Sequence, residues 1–70
     1  MIDALIKKYE AEIAMAETTI NIYLTNPVAI GEHPQHLQEI DKLLGQIEEA
    51  QGKMEILKTT FLRGKGQING

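Results

Sequence analysis

Apolar residues recur along this chain in two long patterns that alternate steps of three and four residues. The first pattern is Ile2, Ile6, Tyr9, Ile13, Ala16, Ile20 and Tyr23, and the second is Ile40, Leu43, Ile47, Ala50, Met54, Leu57 and Phe61. This spacing keeps one stripe of a helix turned toward a partner helix. The sequence therefore predicts two α-helices that pack along these stripes, which we call the seams.

The segment between the seams carries turn-forming residues. Asn26 precedes Pro27, and the residue before a proline is disfavoured in the α conformation. Pro34 suits the first turn of a second helix, and Gly64 suits the position just beyond its end. We predict a single helical hairpin over residues 1–63, with a helix at 2–25, a loop at 26–33, a helix at 34–63 and a flexible C-terminal tail at 64–70.

The size of the chain favours self-association. It has 70 residues and no Cys, and one core in so small a protein rarely supplies more than about 3 to 5 kcal/mol of net stability. Further apolar residues lie off the seams, where one antiparallel contact cannot cover them: Met1, Met15, Ile22, Leu37, Leu44 and Ile56. The predicted fold class is all-α, a coiled-coil-like two-helix antiparallel hairpin that assembles into a homo-oligomeric helical bundle.

Small residues also recur at seven-residue spacing, namely Ala4, Ala11 and Thr18 in helix 1 and Gly45, Gly52 and Thr59 in helix 2. A line of small residues lets another helix approach closely. Alternatively, the two glycines are tolerated on a solvated face at a cost of about 1 kcal/mol each relative to Ala. The sequence leaves both interpretations open.

Charge and composition narrow the function classes. The net charge of −3 and the pI near 5.2 disfavour duplex DNA as a partner, and no apolar run approaches the roughly 20 residues of a membrane span. The chain has no Ser, no Cys and no glycine-rich phosphate loop that precedes a helix. We expect neither an enzyme nor a cofactor, and we expect a soluble cytoplasmic protein.

One segment has the spacing of metal ligands, with Glu32, His33, His36 and Glu39 close together. A helix beginning at Pro34 would bring several of them near one face. The competing interpretation makes His33 a capping or loop-packing residue and leaves His36 exposed on the first turn, and we favour it over a metal site. Whether the segment from Glu32 to Pro34 is a recognition loop or only a turn stays open.

The closed hairpin would carry a basic pole on an acidic protein. Antiparallel pairing gathers five of the seven basic residues at the open end, namely Lys7, Lys8, Lys58, Arg63 and Lys65. Tyr9, Thr59 and Thr60 lie near the same level and offer a stacking ring and hydroxyl groups. The predicted ligand-binding residues are Lys7, Lys8, Tyr9, Thr60 and Arg63, in a pocket between subunits. The simpler interpretation is that these cations are solvated or stabilise the end of a helix.

The string NPVAIGEHPQHLQEIDKLLGQIEEAQGKMEIL, together with MIDALIKKYEAEIAMA, resembles small uncharacterised proteins of tailed bacteriophages, especially T4-like and marine phages. The resemblance implies a phage accessory protein that acts in the cytoplasm of the infected bacterium, and it supplies no known binding residues. In size, class and expected assembly the chain is also similar to phage sponge proteins, which bind nucleotide immune signals between subunits.

These observations lead to one hypothesis and two alternatives. The first is a non-enzymatic anti-defence sponge that sequesters a small anionic, nucleotide-like ligand. The second is an interaction module that inhibits or recruits a host protein through an exposed apolar stripe, and the third is a small structural component of the virion.

Overall fold

The computed structural model describes residues 1–26 and 34–62 of the chain. Helix α1 spans Ile2–Leu24 and helix α2 spans Pro34–Ile56, and α2 runs directly into a π-helical segment, Leu57–Leu62. No strand occurs among these residues. Tyr23 near the end of α1 contacts His36 near the start of α2, and Tyr9 early in α1 lies beside Lys53 late in α2. The two helices are therefore antiparallel, and the predicted all-α hairpin is confirmed.

The contact between the helices follows the two seams. Ala16, Ile20 and Ala50 are buried, and most of the other seam residues are half-buried. Phe61 is the exception among them, because 53% of its surface is exposed. Since two of the three buried residues are alanines, the helices approach closely at mid-hairpin, but the core that they form is small.

Helix α1 ends one residue before the predicted limit of 25. Thr25 caps it: its backbone N–H donates to the carbonyl of Asn21 at 2.9 Å, and its hydroxyl donates to the same carbonyl at 2.8 Å. The N–H of Asn26 then donates to the carbonyl of Tyr23 at 3.2 Å. These bonds satisfy carbonyl groups that the end of a helix leaves without intrahelical partners.

The second helix was predicted to remain regular as far as Arg63, but its α-helical part ends at Ile56. The next six residues are π-helical, and they include the β-branched pair Thr59 and Thr60, which have low helix propensity. The hydroxyl of Thr59 donates to the carbonyl of Glu55 at 2.8 Å. Such back-bonding by Thr competes with the regular backbone pattern. The loop at 27–33, the tail at 64–70 and Arg63 lie outside the described residues.

The two glycines of α2 face open space within the hairpin. A methyl group built on Gly45 or on Gly52 meets no atom within 4 Å, so neither glycine is needed for the approach of α1 to α2. Close approach within one hairpin is thereby excluded as their role. This result does not bear on whether a second chain packs against the face that carries the two glycines.

We expect Gly45→Ala and Gly52→Ala each to raise the free energy of unfolding, by up to about 1 kcal/mol, because Ala has the higher helix propensity and fits without a clash. Urea unfolding followed by circular dichroism measures the change. A loss of stability in either variant would show instead that a second molecule packs against the glycine face.

Candidate ligand groove

A groove runs along one flank of the hairpin between α1 and α2. It has a volume of about 370 Å³, which is at the lower end of the range typical of small-molecule sites. Its lining is Tyr9, Glu12, Met15, Ala16, Thr19, Leu43, Gln46, Glu49, Ala50 and Lys53. Both helices contribute seam residues to the floor and polar side chains to the walls, so the groove exists only when the hairpin is closed.

Two lysines from different helices flank the ring of Tyr9. The Nζ atom of Lys8 lies 5.2 Å from the ring centroid, and the Nζ atom of Lys53 lies 5.7 Å from it. Both distances are within the range of cation–π attraction. Tyr9 is half-buried at a seam position, so packing against α2 holds the ring in place while the two ammonium groups stay close to it.

Each of these lysines also pairs with a glutamate one turn away on its own helix. Lys8 Nζ lies 2.8 Å from Glu12 Oε2, and Lys53 Nζ lies 3.2 Å from Glu49 Oε1. The hydrogen bond to Glu12 and the charge of that carboxylate raise the pKa of Lys8 above its ordinary value. All four side chains are exposed, and exposed ion pairs contribute little to stability. Lys53 lines the groove, and Lys8 lies beside the lining residues Tyr9 and Glu12 without lining the groove itself.

The structure brings together only part of the predicted binding set. Tyr9 lines the groove, and Lys8 lies beside the Tyr9 ring without lining the groove itself. Lys7 is exposed and does not line the groove, since consecutive helical residues point about 100° apart. Thr60 is exposed in the π-helical segment, seven residues beyond Lys53, and it too is absent from the lining. Arg63 lies outside the described residues, as does Lys65.

Sequence reasoning missed Lys53, although a signal for it exists. Lys53 lies three residues after the seam residue Ala50, at a position that flanks the seam on the groove side. In an antiparallel pair this position faces the early turns of α1, where Tyr9 lies. The antiparallel register, once drawn residue by residue, would have placed Lys53 beside that ring.

His36 has a different place from the one expected. Its ring stacks on that of Tyr23, with centroids 4.9 Å apart and an angle of 28° between the planes, and the residue is half-buried. The expectation of an exposed His36 is therefore wrong: the residue lies four positions before Ile40 and extends the seam by one step. No group of three or more metal-ligating side chains occurs in residues 1–26 and 34–62. Glu32 and His33 of the segment considered for metal binding lie outside that part.

Within the same described part of the chain, no helix is long and apolar enough to cross a membrane. No protein-family model, curated protein or solved structure matches the chain. The groove and the exposed apolar side chains are therefore the features from which a function can be inferred.

Proposed function

We propose that this protein is a non-enzymatic binding protein that self-associates and sequesters a small anionic ligand with an aromatic ring, of the nucleotide class. The observation that carries the proposal is the ring of Tyr9 with the ammonium groups of Lys8 and Lys53 at 5.2 and 5.7 Å from its centroid. An aromatic ring can stack on a base, and ammonium groups bind phosphate oxygens. These are the two chemistries that a nucleotide requires.

The ion pairs beside the Tyr9 ring are compatible with such a ligand. Lys8 is held by Glu12 and Lys53 by Glu49, but each pair is exposed and contributes little to stability. A phosphate group carries more negative charge than one carboxylate, so it competes with Glu12 and Glu49 for the two ammonium groups. Binding would replace weak ion pairs with contacts to the ligand.

The residues that line the groove suit ligand binding better than catalysis. None of the residues that line it is His, and the chain has no Ser and no Cys, the residues most often used as general base or covalent nucleophile. Sequestration of an immune signal in the cytoplasm of an infected bacterium extends the proposal further. That extension depends on the resemblance to phage proteins alone.

We expect Lys53→Gln to weaken nucleotide binding roughly tenfold or more, because it removes one charge-assisted contact from the site. Isothermal titration calorimetry at low salt, with linear and cyclic nucleotides, measures the change. Lys42→Gln is the matched control, since Lys42 is an exposed lysine of the same helix that does not line the groove. Equal losses in both variants would show unspecific attraction to positive charge and would contradict the proposed site.

A second candidate function is an interaction with a host protein. It is favoured by the exposed apolar side chains of α2, where more than half of the surface of Leu37, Leu44 and Ile56 is accessible. Such a protein would not bind nucleotides, and Leu44→Ser would weaken its binding to the partner protein whereas Lys53→Gln would not.

The third alternative, a structural component of the virion, predicts that the protein co-purifies with phage particles.

A further inference from the structure

Helix α1 carries a second heptad stripe beside its seam. The stripe consists of Met1, Leu5, Lys8, Glu12, Met15, Thr19 and Ile22, and its steps of four and three residues match those of the seam. We call it the second stripe. Glu12, Met15 and Thr19 line the groove, so the second stripe lies on the groove side of the hairpin. A regular spacing of this kind suits a straight contact with another helix.

Helix α2 leaves much of the second stripe uncovered. Met15 is 67% exposed and Ile22 is 61% exposed, although both belong to the residue types that are most often buried. Among residues 1–26 and 34–62, meanwhile, the buried core consists of Ala16, Ile20 and Ala50. A chain of this size usually needs a further source of stability, and oligomerisation is a source that requires no cysteines.

The charges in the second stripe point to a second copy of the same chain as the partner. Lys8 and Glu12 are the only charged residues of the stripe, and they have opposite signs. When two copies of α1 lie antiparallel about a two-fold axis at residue 10, Lys8 of each copy faces Glu12 of the other. The same register places Leu5 opposite Met15, because both pairs are centred on residue 10. The stripe is therefore complementary to itself in charge and in apolar character.

The surface of α1 next to the second stripe can accept a side chain from a partner. Ala14, Met15, Thr18 and Thr19 surround a shallow hollow on this surface. In the register centred on residue 10, the two copies of α1 overlap from Met1 to Thr19, over about 27 Å at about 1.5 Å per residue. That overlap corresponds to between two and three heptads of contact, and Ile22 lies beyond it.

We propose that two hairpins dimerise by antiparallel packing of their α1 helices along the second stripe, forming a four-helix bundle in which each copy closes the open side of the other's groove. The inference deepens the proposed function, since it makes the ligand groove an inter-subunit site. It can nevertheless be tested without any ligand. The two grooves would lie close together, because Tyr9 is next to the two-fold axis at residue 10.

The test uses two charge-reversal variants that are mixed. Lys8→Glu gives each chain two negative residues at the centre of the stripe, and Glu12→Lys gives each chain two positive ones. We expect each variant alone to dimerise at least about tenfold more weakly than the wild type, because like charges then face each other. An equimolar mixture should form a one-to-one heterodimer. Neither chain of that heterodimer has the intrachain Lys8–Glu12 pair, so its formation reports contacts between chains only.

Sedimentation velocity and native mass spectrometry of the ligand-free proteins measure the assembly. Glu10→Lys is the control, because it makes the same charge change as Glu12→Lys two residues away, at an exposed position outside the second stripe. It should dimerise as the wild type does. Circular dichroism of each variant shows whether the helices are retained.

Three results would overturn the proposed dimer: a monomeric wild type, charge-reversal variants that dimerise normally, or a mixture that does not assemble. A control as weak as Glu12→Lys would overturn it as well. The outcomes separate this inference from the proposed function. A dimer that binds no nucleotide would contradict the proposed ligand and support the proposed interface. A monomer that binds a nucleotide would contradict the interface and support the ligand.

Discussion

Ala16→Asp is expected to unfold the hairpin. Ala16 is 4% exposed at the centre of the contact between α1 and α2, and a carboxylate placed there would lose its water without gaining a partner. An uncompensated buried charge costs roughly 3 to 5 kcal/mol, which is as much as the whole net stability expected of a core this small. The helical signal in circular dichroism should fall to that of a largely unfolded chain at 25 °C.

Ala11→Asp provides the matched control for that experiment. Ala11 lies on the same helix and is exposed, so the substitution changes helix propensity by the same amount, about 0.7 kcal/mol, without burying a charge. It should keep most of the helical signal. If Ala16→Asp stayed as helical as Ala11→Asp, the seam would not be the contact that holds the hairpin together.

The second large effect is expected from Tyr9→Leu, which should abolish most nucleotide binding and leave the fold intact. Leucine fits a half-buried seam position and preserves the apolar contact with α2. The substitution nevertheless removes the ring that the two lysines flank. Because base–aromatic stacking contributes roughly 1 to 3 kcal/mol, affinity should fall by about tenfold or more.

Calorimetry with the best-binding nucleotide measures that loss, and circular dichroism checks the fold. Tyr23→Leu is the appropriate control: Tyr23 occupies an equivalent seam position, but it stacks on His36 at the other end of the hairpin and does not line the groove. Full affinity in Tyr9→Leu would show that the ligand, if one binds, does not stack on this ring.

The fold was predictable because hydrophobic periodicity determines it. Thirteen of the fourteen seam residues are buried or half-buried in the hairpin, since a step pattern of three and four residues allows few alternatives to a helical stripe. The π-helical segment was not predictable in the same way. The sequence shows Thr59 and Thr60, but the hydroxyl contact of Thr59 with the carbonyl of Glu55 becomes visible only in three dimensions.

The candidate site was predictable only in part, because the alignment of α1 residues with α2 residues cannot be read directly from the sequence. Assigning Lys7 and Lys8 to one binding site ignored the rotation between adjacent helical residues, which points their side chains to different sides of α1. Lys53 was overlooked because only the basic residues at the open end were considered, whereas Tyr9 lies beside the last turn of α2, which carries Lys53. An apolar pattern that begins at Ile40 gives no signal for His36, although His36 lies four positions earlier and continues the seam through its contact with Tyr23.

The central claim is that the closed hairpin binds a nucleotide-class anion in the groove at Tyr9. Native mass spectrometry of the wild-type protein with a panel of linear and cyclic nucleotides at low salt tests it most directly, because mass reports both assembly and retained ligand. We predict a discrete oligomer that retains a nucleotide, with the adduct diminished in Tyr9→Leu. A protein that retains none of the nucleotides at any concentration would contradict the claim and favour a protein partner.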